Sequence, residues 1–311
     1  MLPPRGADAL SKLQRSWMFV PGHTARFVEK AAGVPADGVF LDLEDGVPVA
    51  EKPAARHLVA EVLGRPGFGP RRFVRLNSIT SPWFADDLEA VVVAGLEGVC
   101  LPKVESATEV LRLAGRLDEL EQQRSMTGGA VRVVAAIESA RGLLSAPAIA
   151  ASHPRMEALM FGAEDFALDL GLGTHRVGES RELLYARSSL VVAAASARIA
   201  SIDGVFPDLD DPEGLAADIV QARRLGFSAK STFNPRQLEV INRAFSPSPD
   251  EVDYASRVVA AFEDAQSRGE GSVAVGGQLV DLPIVMRAKR LLEASAVVAA
   301  TPTTSEARGT A

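Results

Sequence analysis

The chain has 311 residues, a formal net charge of -7 at pH 7 and a hydrophobic fraction of 47%. This balance is typical of a globular protein, and the length suits either one large α/β barrel with an extension or two smaller domains. The acidic charge argues against a nucleic-acid partner, which would need a basic face. The single cysteine, Cys100, excludes an internal disulfide and a cysteine-based metal site, and its apolar neighbours predict a buried thiol.

The sequence contains no predicted export signal or membrane span. Residues 1–14 lack the apolar core of a secretory signal, and no stretch reaches the roughly 18 uncharged apolar residues that span a bilayer. We therefore expect a cytoplasmic protein with no membrane partner. Residues 300–311 are rich in Thr, Ala, Ser and Gly, which predicts a disordered tail.

Eight short apolar or β-branched runs recur along the chain, and most gaps between them hold one helical pattern. The runs are Trp17–Val20, Gly38–Leu43, Arg72–Leu76, Gly98–Leu101, Arg132–Ile137, Ala158–Phe161, Arg198–Ile202 and Ser228–Phe233. Strands that alternate with helices at this spacing indicate βα units and a parallel sheet. We therefore predict a (β/α)8 TIM barrel over residues 15–245, with a doubly wound open sheet as the alternative.

Ionisable residues stand at the ends of several of these predicted strands. They are Glu44 and Asp45 after the second, Arg75 at the third, Lys103 after the fourth, Glu138 after the fifth, and Glu164 and Asp165 after the sixth. In a closed barrel the carboxyl ends of all strands converge on one mouth, where barrel enzymes have their active sites. In an open sheet the same residues would spread along an edge. The pattern therefore favours the barrel.

Residues 246–299 are predicted to form a helical extension of the barrel. Ser248, Pro249 and Glu251 have the spacing of a capping box at a helix start. A Gly-rich segment, Gly269–Gly277, separates this helix from a final apolar helix, Pro283–Ala299. Glycines of this kind act as hinges, so we interpret the extension as a lid or a subunit contact.

Glu138 and Asp165 are the candidates for a metal site. Both follow strands that are adjacent in the predicted barrel, and two carboxylates at one mouth repel each other unless a cation lies between them. Mg²⁺ suits such a place because it binds one or two carboxylates and leaves its other positions to water or substrate oxygens. The alternatives are that Glu138 is a solvated strand end and that Asp165 is a helix N-cap.

Arg75 and Lys103 are the candidate cations of the mouth. The planar guanidinium of Arg75 matches a substrate carboxylate, and a salt bridge to Glu44 or Asp45 is the alternative. Lys103 is either a desolvated Schiff-base lysine or an ion-pair partner of the acidic cluster. We favour the ion pair because neighbouring carboxylates keep an ammonium group protonated.

Eight segments of the chain together resemble one known enzyme family. They are Trp17–His23, Leu41–Asp45, Val74–Asn77, Leu101–Lys103, Ala136–Ser139, Phe161–Phe166, Lys230–Pro235 and Gly276–Pro283. In this order they resemble the citrate lyase β-subunit-like family of the HpcH/HpaI aldolase superfamily, which includes malyl-CoA and citramalyl-CoA lyases. The resemblance covers the chain from about residue 15 to residue 298.

This resemblance implies a Mg²⁺-dependent carbon–carbon lyase that is usually a homotrimer or homohexamer. The reaction would cleave or form a 3-hydroxyacyl-CoA such as malyl-, citramalyl- or citryl-CoA, with a 2-oxo acid and acetyl-CoA or propionyl-CoA as the other partners. By position, Glu138 and Asp165 are implied as metal ligands and Arg75 as the group that binds the substrate carboxylate. Glu44 and Asp45 are further candidate substrate-binding residues. Asp281, which alone would be interpreted as a helix N-cap, is implied as an acid/base on a lid from a neighbouring subunit.

Three other functions remain open at this point. They are a thioesterase that uses the same metal site, a Schiff-base aldolase that uses Lys103 or Lys230, and a non-catalytic subunit that binds an oxo acid or acyl-CoA. Asn234 stands where relatives commonly carry His, and an amide cannot change its protonation near neutral pH as His can. This departure leaves the particular substrate open.

Overall fold

The computed structural model describes residues 14–173 and 181–300 of the chain. These residues form two compact units, which comprise residues 14–242 and residues 243–300. The segment predicted to be a disordered tail lies outside the described residues, apart from Ala300. Within the described ranges, no helix has the length and apolar character needed to cross a bilayer.

The first unit is a closed barrel of eight parallel strands. The strands are β1 (Ser16–Pro21), β2 (Gly38–Asp42), β3 (Arg71–Arg75), β4 (Gly98–Leu101), β5 (Arg132–Ile137), β6 (Met156–Phe161), β7 (Ala200–Asp203) and β8 (Ala229–Thr232). Each strand pairs with the next, and β1 also pairs with β8 through Trp17 and Ser231, which closes the sheet. The predicted barrel is therefore confirmed, and the open sheet was the wrong alternative.

Helices occupy the connections between the strands and after β8. They are α1 (Ala25–Ala31), α2 (Lys52–Leu63), α3 (Phe84–Val91), α4 (Ala107–Gln123), α5 (Ala140–Ala150), α6 (Ala163–Asp169), α7 (Leu184–Ser196), α8 (Pro212–Leu225) and α9 (Leu238–Phe245). A crossover helix is what joins parallel strands in βαβ units. Every strand boundary predicted from the sequence lies within about two residues of the observed one, the usual error of boundary prediction.

The interior of the barrel is filled by side chains from alternate strand positions, because successive residues of a strand point to opposite faces. The interior cluster consists of Trp17, Phe19, Phe40, Phe73, Cys100, Val134, Ala136, Ala158, Met160, Ile202 and Ala229. On β2, β3 and after β5, this inward series continues past its last apolar member to Asp42, Arg75 and Glu138. The alternation therefore directs three charged side chains into the carboxyl-terminal mouth.

Charged groups also lie at the amino ends of the strands, where carboxylates form ion pairs with arginines. Arg71 begins β3 and forms ion pairs with Glu97 and Glu157. Arg155 directly precedes β6, is 2% exposed and forms an ion pair with Glu121, which is 1% exposed. Each of these carboxylates therefore has a guanidinium partner.

The second unit is a helical hairpin with a small two-stranded sheet. It contains α10 (Pro249–Ser267), β9 (Val273–Val275), β10 (Gln278–Val280) and α11 (Leu282–Ala300). The predicted capping box is present, because the Ser248 hydroxyl accepts a hydrogen bond from the Glu251 N–H and the Glu251 carboxylate accepts one from the Ser248 N–H. The hairpin turn places Gly276 and Gly277 at φ of 58° and 81°, a left-handed conformation that favours glycine. The sequence pattern did not predict this hairpin.

Candidate active site

Arg75 is held at the mouth by a carboxylate on the neighbouring strand. Its Cα is the register partner of Asp42 on β2, and its Nε and Nη2 each donate a hydrogen bond of 2.7 Å to the two oxygens of Asp42. Nη1 lies 3.1 Å from Glu44 Oε2. The salt-bridge partner predicted for Arg75 was Glu44 or Asp45, so Glu44 was correct and Asp45 was wrong, since Asp45 pairs with Lys103 instead.

Asp42 is a site residue that the sequence pattern did not predict. It is 2% exposed, and besides Arg75 its carboxylate accepts hydrogen bonds from the N–H groups of Glu44 and Gly46, at 2.9 and 3.0 Å. A side chain at position 46 would collide with it, because a Cβ on Gly46 would lie 2.3 Å from Asp42 Oδ2. Asp42 therefore fixes both the Arg75 guanidinium and the loop that carries Glu44.

Glu44 is buried between the two cations of the mouth. Its side chain is 5% exposed, and its Oε1 lies 2.9 Å from Lys103 Nζ. Burial raises the pKa of Glu44 and outweighs the opposing effects of Arg75 and Lys103. This carboxyl is thus more readily protonated than a free glutamic acid.

Lys103 lies among three carboxylates and has an unusual backbone conformation. Its Nζ is 2.9 Å from Glu44, 3.0 Å from Asp45 and 3.8 Å from Asp165. Partial burial lowers its pKa, but the contacts with Glu44 and Asp45 have the larger combined effect and raise the pKa above its ordinary value. The backbone at Lys103 has φ of 55°, in the left-handed region that non-glycine residues seldom adopt. The geometry is that of the ion pair favoured from the sequence, since a Schiff base needs a neutral amine.

Glu138 is a buried carboxyl directly after β5. It is 5% exposed, and its Oε2 has no hydrogen-bond partner within the described part of the chain. Burial raises its pKa to about 8, helped by the neighbouring carboxylates of Glu44 and Asp165. Gly162 makes room for it, because a Cβ at that position would lie 2.2 Å from Glu138 Cγ. The interpretation of Glu138 as a solvated strand end is therefore wrong.

Asp165 faces the same cavity as Glu138. It lies in the first turn of α6, for which Gly162 is the N-cap, so the interpretation of Asp165 as an N-cap is also wrong. A cavity of 290 Å³ at this side of the mouth is lined by Lys103, Glu105, Glu138, Ser139, Asp165, Leu168 and Asp169. Its charged groups are mostly acidic, with Lys103 as the cation among the lining residues.

The donor set fits a hard divalent cation. Carboxylate oxygens are the ligands Mg²⁺ prefers, and it takes one or two of them together with several waters. The unpartnered Oε2 of Glu138 beside Asp165 supplies such a pair. Among residues 14–173 and 181–300, no three His, Cys, Asp or Glu side chains form a ready metal-binding group. The arrangement therefore resembles an open two-carboxylate site more than a closed structural one.

Lys230, the other candidate Schiff-base lysine, is part of a separate buried network. It is 1% exposed, and its Nζ donates hydrogen bonds to Asp203 at 2.7 Å, to the Gly204 carbonyl at 2.7 Å and to Asp218 at 2.5 Å. Arg187 forms ion pairs with the same two carboxylates. All three N–H bonds of the ammonium group are thus occupied, which makes Lys230 a structural cation.

Two further residues from the sequence analysis have local capping contacts. Asp281 is exposed in the second unit, directly before α11, and its Oδ1 accepts a long hydrogen bond of 3.4 Å from the Ile284 N–H. In the barrel unit, Asn234 Oδ1 accepts a hydrogen bond of 3.0 Å from the Arg236 N–H and caps the short 3₁₀ turn after β8.

The chain is similar to known proteins along most of its length. The family profile described as HpcH/HpaI aldolase/citrate lyase matches residues 15–235. Citrate lyase subunit beta of Leuconostoc mesenteroides subsp. cremoris is 39% identical over 283 residues, which are 91% of this chain and 93% of that protein. A (3S)-malyl-CoA thioesterase of Cereibacter sphaeroides is 37% identical over 288 residues, 92% of this chain and 96% of that protein. The crystal structure of protein CitE from Mycobacterium tuberculosis, in complex with magnesium, acetoacetate and coenzyme A, has a TM-score of 0.76 and 33% identity over 92% of this chain and 99% of that chain.

Proposed function

The chain belongs to the HpcH/HpaI aldolase/citrate lyase family, and we propose that it is a Mg²⁺-dependent carbon–carbon lyase that acts on a 3-hydroxyacyl-CoA. The observation that carries this proposal is the buried Glu138 carboxyl, which has no donor for Oε2 among the described residues and shares a cavity with Asp165. The magnesium, acetoacetate and coenzyme A named for the M. tuberculosis relative support the same cofactor and ligand classes here.

The proposed roles follow from the chemistry of each side chain. Glu138 and Asp165 would hold Mg²⁺, which when bound supplies a Lewis acid and a template for substrate oxygens. Arg75 would bind the substrate carboxylate, because a guanidinium has five N–H bonds and its nitrogens have capacity beyond the contacts with Asp42 and Glu44.

Cleavage then needs one base. Asp281, directly or through water, would take the proton of the 3-hydroxyl group. The electron pair of that O–H bond becomes the new carbonyl bond of the 2-oxo acid, and the pair of the breaking C–C bond moves to the acyl-CoA as an enolate. Protonation of this enolate at carbon gives acetyl-CoA or propionyl-CoA. Condensation is the same sequence in reverse.

The test is an assay of products rather than of substrate loss alone. The protein is incubated with Mg²⁺, a panel of 2-oxo acids and acetyl-CoA or propionyl-CoA, and the products are identified by mass spectrometry. We expect a 3-hydroxyacyl-CoA to form with Mg²⁺ present, and we expect no such product when EDTA is present from the start. Activity that survives EDTA and is trapped by borohydride would instead indicate a Schiff-base aldolase, and no product with any pair would favour a non-catalytic binding subunit.

A thioesterase is the second candidate, because a (3S)-malyl-CoA thioesterase is 37% identical to the chain. The two reactions differ in their products from malyl-CoA. A lyase gives glyoxylate and acetyl-CoA, whereas a thioesterase gives malate and free CoA. Mass spectrometry of a single malyl-CoA digest therefore separates the two functions.

The proposed base and assembly have their own tests. Asp281→Asn should lower turnover with little change in 2-oxo acid affinity, and an unchanged rate would return Asp281 to a capping role.

The resemblance also supports a homotrimer or homohexamer. Size-exclusion chromatography with light scattering would measure the oligomeric state. A monomer with full activity would contradict a lid supplied by a neighbouring subunit.

A further inference from the structure

The cavity beside Glu138 and Asp165 offers few side-chain hydrogen-bond donors. Of its lining residues, only Lys103 and Ser139 carry a side-chain N–H or O–H when the carboxyls are ionised. The single O–H bond of Ser139 is already used, because the hydroxyl donates to Glu105 Oε1 at 2.7 Å. The same hydroxyl accepts a hydrogen bond from the Gly142 N–H at 3.1 Å. Lys103 is therefore the lining side chain that can donate to a bound molecule.

Lys103 has a donor to spare. An ammonium group has three N–H bonds, and two of them are accounted for by Glu44 at 2.9 Å and Asp45 at 3.0 Å. Asp165 Oδ1 is 3.8 Å away, which is beyond hydrogen-bond length. The side chain is 38% exposed, so a ligand in the cavity can reach the ammonium group.

The backbone conformation of Lys103 also supports a functional role for this residue. Its left-handed φ of 55° is unfavourable for a non-glycine residue, and such a conformation persists where the surroundings hold the residue in place. The three carboxylates around Nζ are such surroundings. The unfavourable backbone conformation of Lys103 thus occurs together with ion pairs that hold its ammonium group at the cavity.

We propose that Lys103 donates a hydrogen bond to the thioester carbonyl oxygen of the acyl-CoA and stabilises the enolate that forms there. This inference rests on the proposed function. In cleavage, the electron pair of the C–C bond moves into the thioester, and its carbonyl oxygen gains negative charge. Lys103 stays protonated throughout, and the proton that neutralises the enolate carbon comes from the base that took the hydroxyl proton. Donors aimed at a developing oxyanion each contribute about 10²–10³ in rate.

The test measures enolate formation separately from C–C bond chemistry. Wild type and Lys103→Met are incubated in D₂O with saturating Mg²⁺, acetyl-CoA and oxalate, a 2-oxo acid analogue that cannot condense. Mass spectrometry then follows deuterium entering the acetyl methyl group. Lys30→Met is the matched control, because Lys30 is an exposed lysine at the end of α1, and thermal unfolding checks that each variant is folded.

We expect exchange in Lys103→Met to fall by about 100-fold, while Lys30→Met exchanges like wild type. A folded Lys103→Met that exchanges at the wild-type rate would overturn the inference and leave the lyase proposal intact. Wild type that neither exchanges deuterium nor condenses any pair would overturn the lyase proposal itself.

A second measurement compares the binding of two CoA derivatives and does not depend on turnover. S-ethyl-CoA lacks the carbonyl oxygen of acetyl-CoA, so wild type should bind acetyl-CoA about 10-fold more tightly, the value of one charge-assisted hydrogen bond. In a folded Lys103→Met this preference should vanish. Equal affinity of wild type for the thioester and the thioether would contradict a hydrogen bond from Lys103.

Discussion

Two glutamates at opposite ends of the barrel are almost equally buried and have opposite pKa shifts. Glu121, near the amino ends of the strands, is 1% exposed, and Glu138, at the carboxyl ends, is 5% exposed. Burial raises the pKa of Glu121, but hydrogen bonds from Arg155 and from two backbone N–H groups outweigh it, and the pKa lies below its usual value. Burial raises the pKa of Glu138 to about 8, and adjacent carboxylates add to the shift.

The two glutamates also differ in their hydrogen-bond partners. The Glu121 oxygens accept hydrogen bonds of 2.8 Å from the N–H groups of Gly129 and Val131, in addition to the Arg155 guanidinium. Glu138 Oε2 meets no donor within the described residues. A buried charge with its partners in place supports the fold. A buried carboxylate without them is poised for a ligand, and here a cation is the ligand that would stabilise it.

The largest expected effect on turnover comes from replacing a glutamate by glutamine at the carboxyl ends of the strands, and the same replacement at the amino ends should affect stability instead. Glu138→Gln should reduce Mg²⁺-dependent turnover by about 10²–10³ because it removes one carboxylate from the metal pair, without loss of folding stability. Asp165→Asn should behave alike. Glu121→Gln should keep the activity of the folded protein but lower the free energy of unfolding by about 2 kcal/mol, since the buried Arg155 guanidinium loses one of its two carboxylate partners and keeps Asp118. Steady-state kinetics and urea unfolding would measure both, and reversed outcomes would refute the comparison.

The pH dependence of stability should separate the two glutamates further. Between the ordinary glutamic pKa and about 8, native Glu138 keeps a proton that the unfolded chain has lost. The free energy of unfolding of the EDTA-treated protein should therefore fall as pH rises through this window. The slope is at most ~1.4 kcal/mol per pH unit, or about 2–3 kcal/mol between pH 5.5 and 7.5.

Glu138→Gln removes this contribution, so its stability should fall less steeply with pH in urea titrations than that of wild type. Glu121→Gln should retain the wild-type slope over the same range, because the pKa of Glu121 is shifted downward and its carboxyl is ionised throughout. Parallel pH profiles for wild type and Glu138→Gln would show that Glu138 titrates normally.

A smaller effect is expected from two arginine–aspartate pairs with similar geometry. Asp42 binds Arg75 at the mouth with two hydrogen bonds of 2.7 Å, and Asp37 binds Arg15 at the amino end with bonds of 2.9 and 2.8 Å. Asp42→Asn should loosen the Arg75 guanidinium and raise KM for the 2-oxo acid about 10-fold, the value of one charge-assisted hydrogen bond, with a smaller change in kcat. Asp37→Asn should leave KM unchanged. Equal KM values for the two variants would mean that Asp42 does not position Arg75.

Much of the barrel and its mouth could be predicted from the sequence because both follow from simple periodicity. Parallel strands buried on both faces appear as short apolar runs, and the charged residues that interrupt them mark the carboxyl ends. Arg75, Lys103 and Glu138 were found in this way, before any pairing was known. The same rule located Asp165 but not its place in the helix, since an acidic residue in the first turn and an N-cap look alike in sequence.

Asp42 was missed because its role depends on strand register, which one sequence does not reveal. It lies inside the apolar run Gly38–Leu43 and the segment Leu41–Asp45, and neither pattern gave it a role. Inward alternation from Phe40 would have placed it in the barrel interior. Its partner is set by the pairing of β2 with β3, which brings Asp42 opposite Arg75. The raised pKa of Glu138 could not be predicted from the sequence either, because its burial and its proximity to Glu44 arise only in the closed barrel.

The most direct test of the account is calorimetric titration of Mg²⁺ into the metal-free protein with pyruvate at pH 7, in buffers of different protonation enthalpy. With the pKa of Glu138 at about 8, most molecules carry a proton there that the cation must displace. Wild type should therefore release close to one proton for each Mg²⁺ bound, and Glu138→Gln should bind Mg²⁺ weakly and without this release. Equal Mg²⁺ affinity in the two proteins, or binding by wild type without proton release, would contradict Glu138 as a ligand.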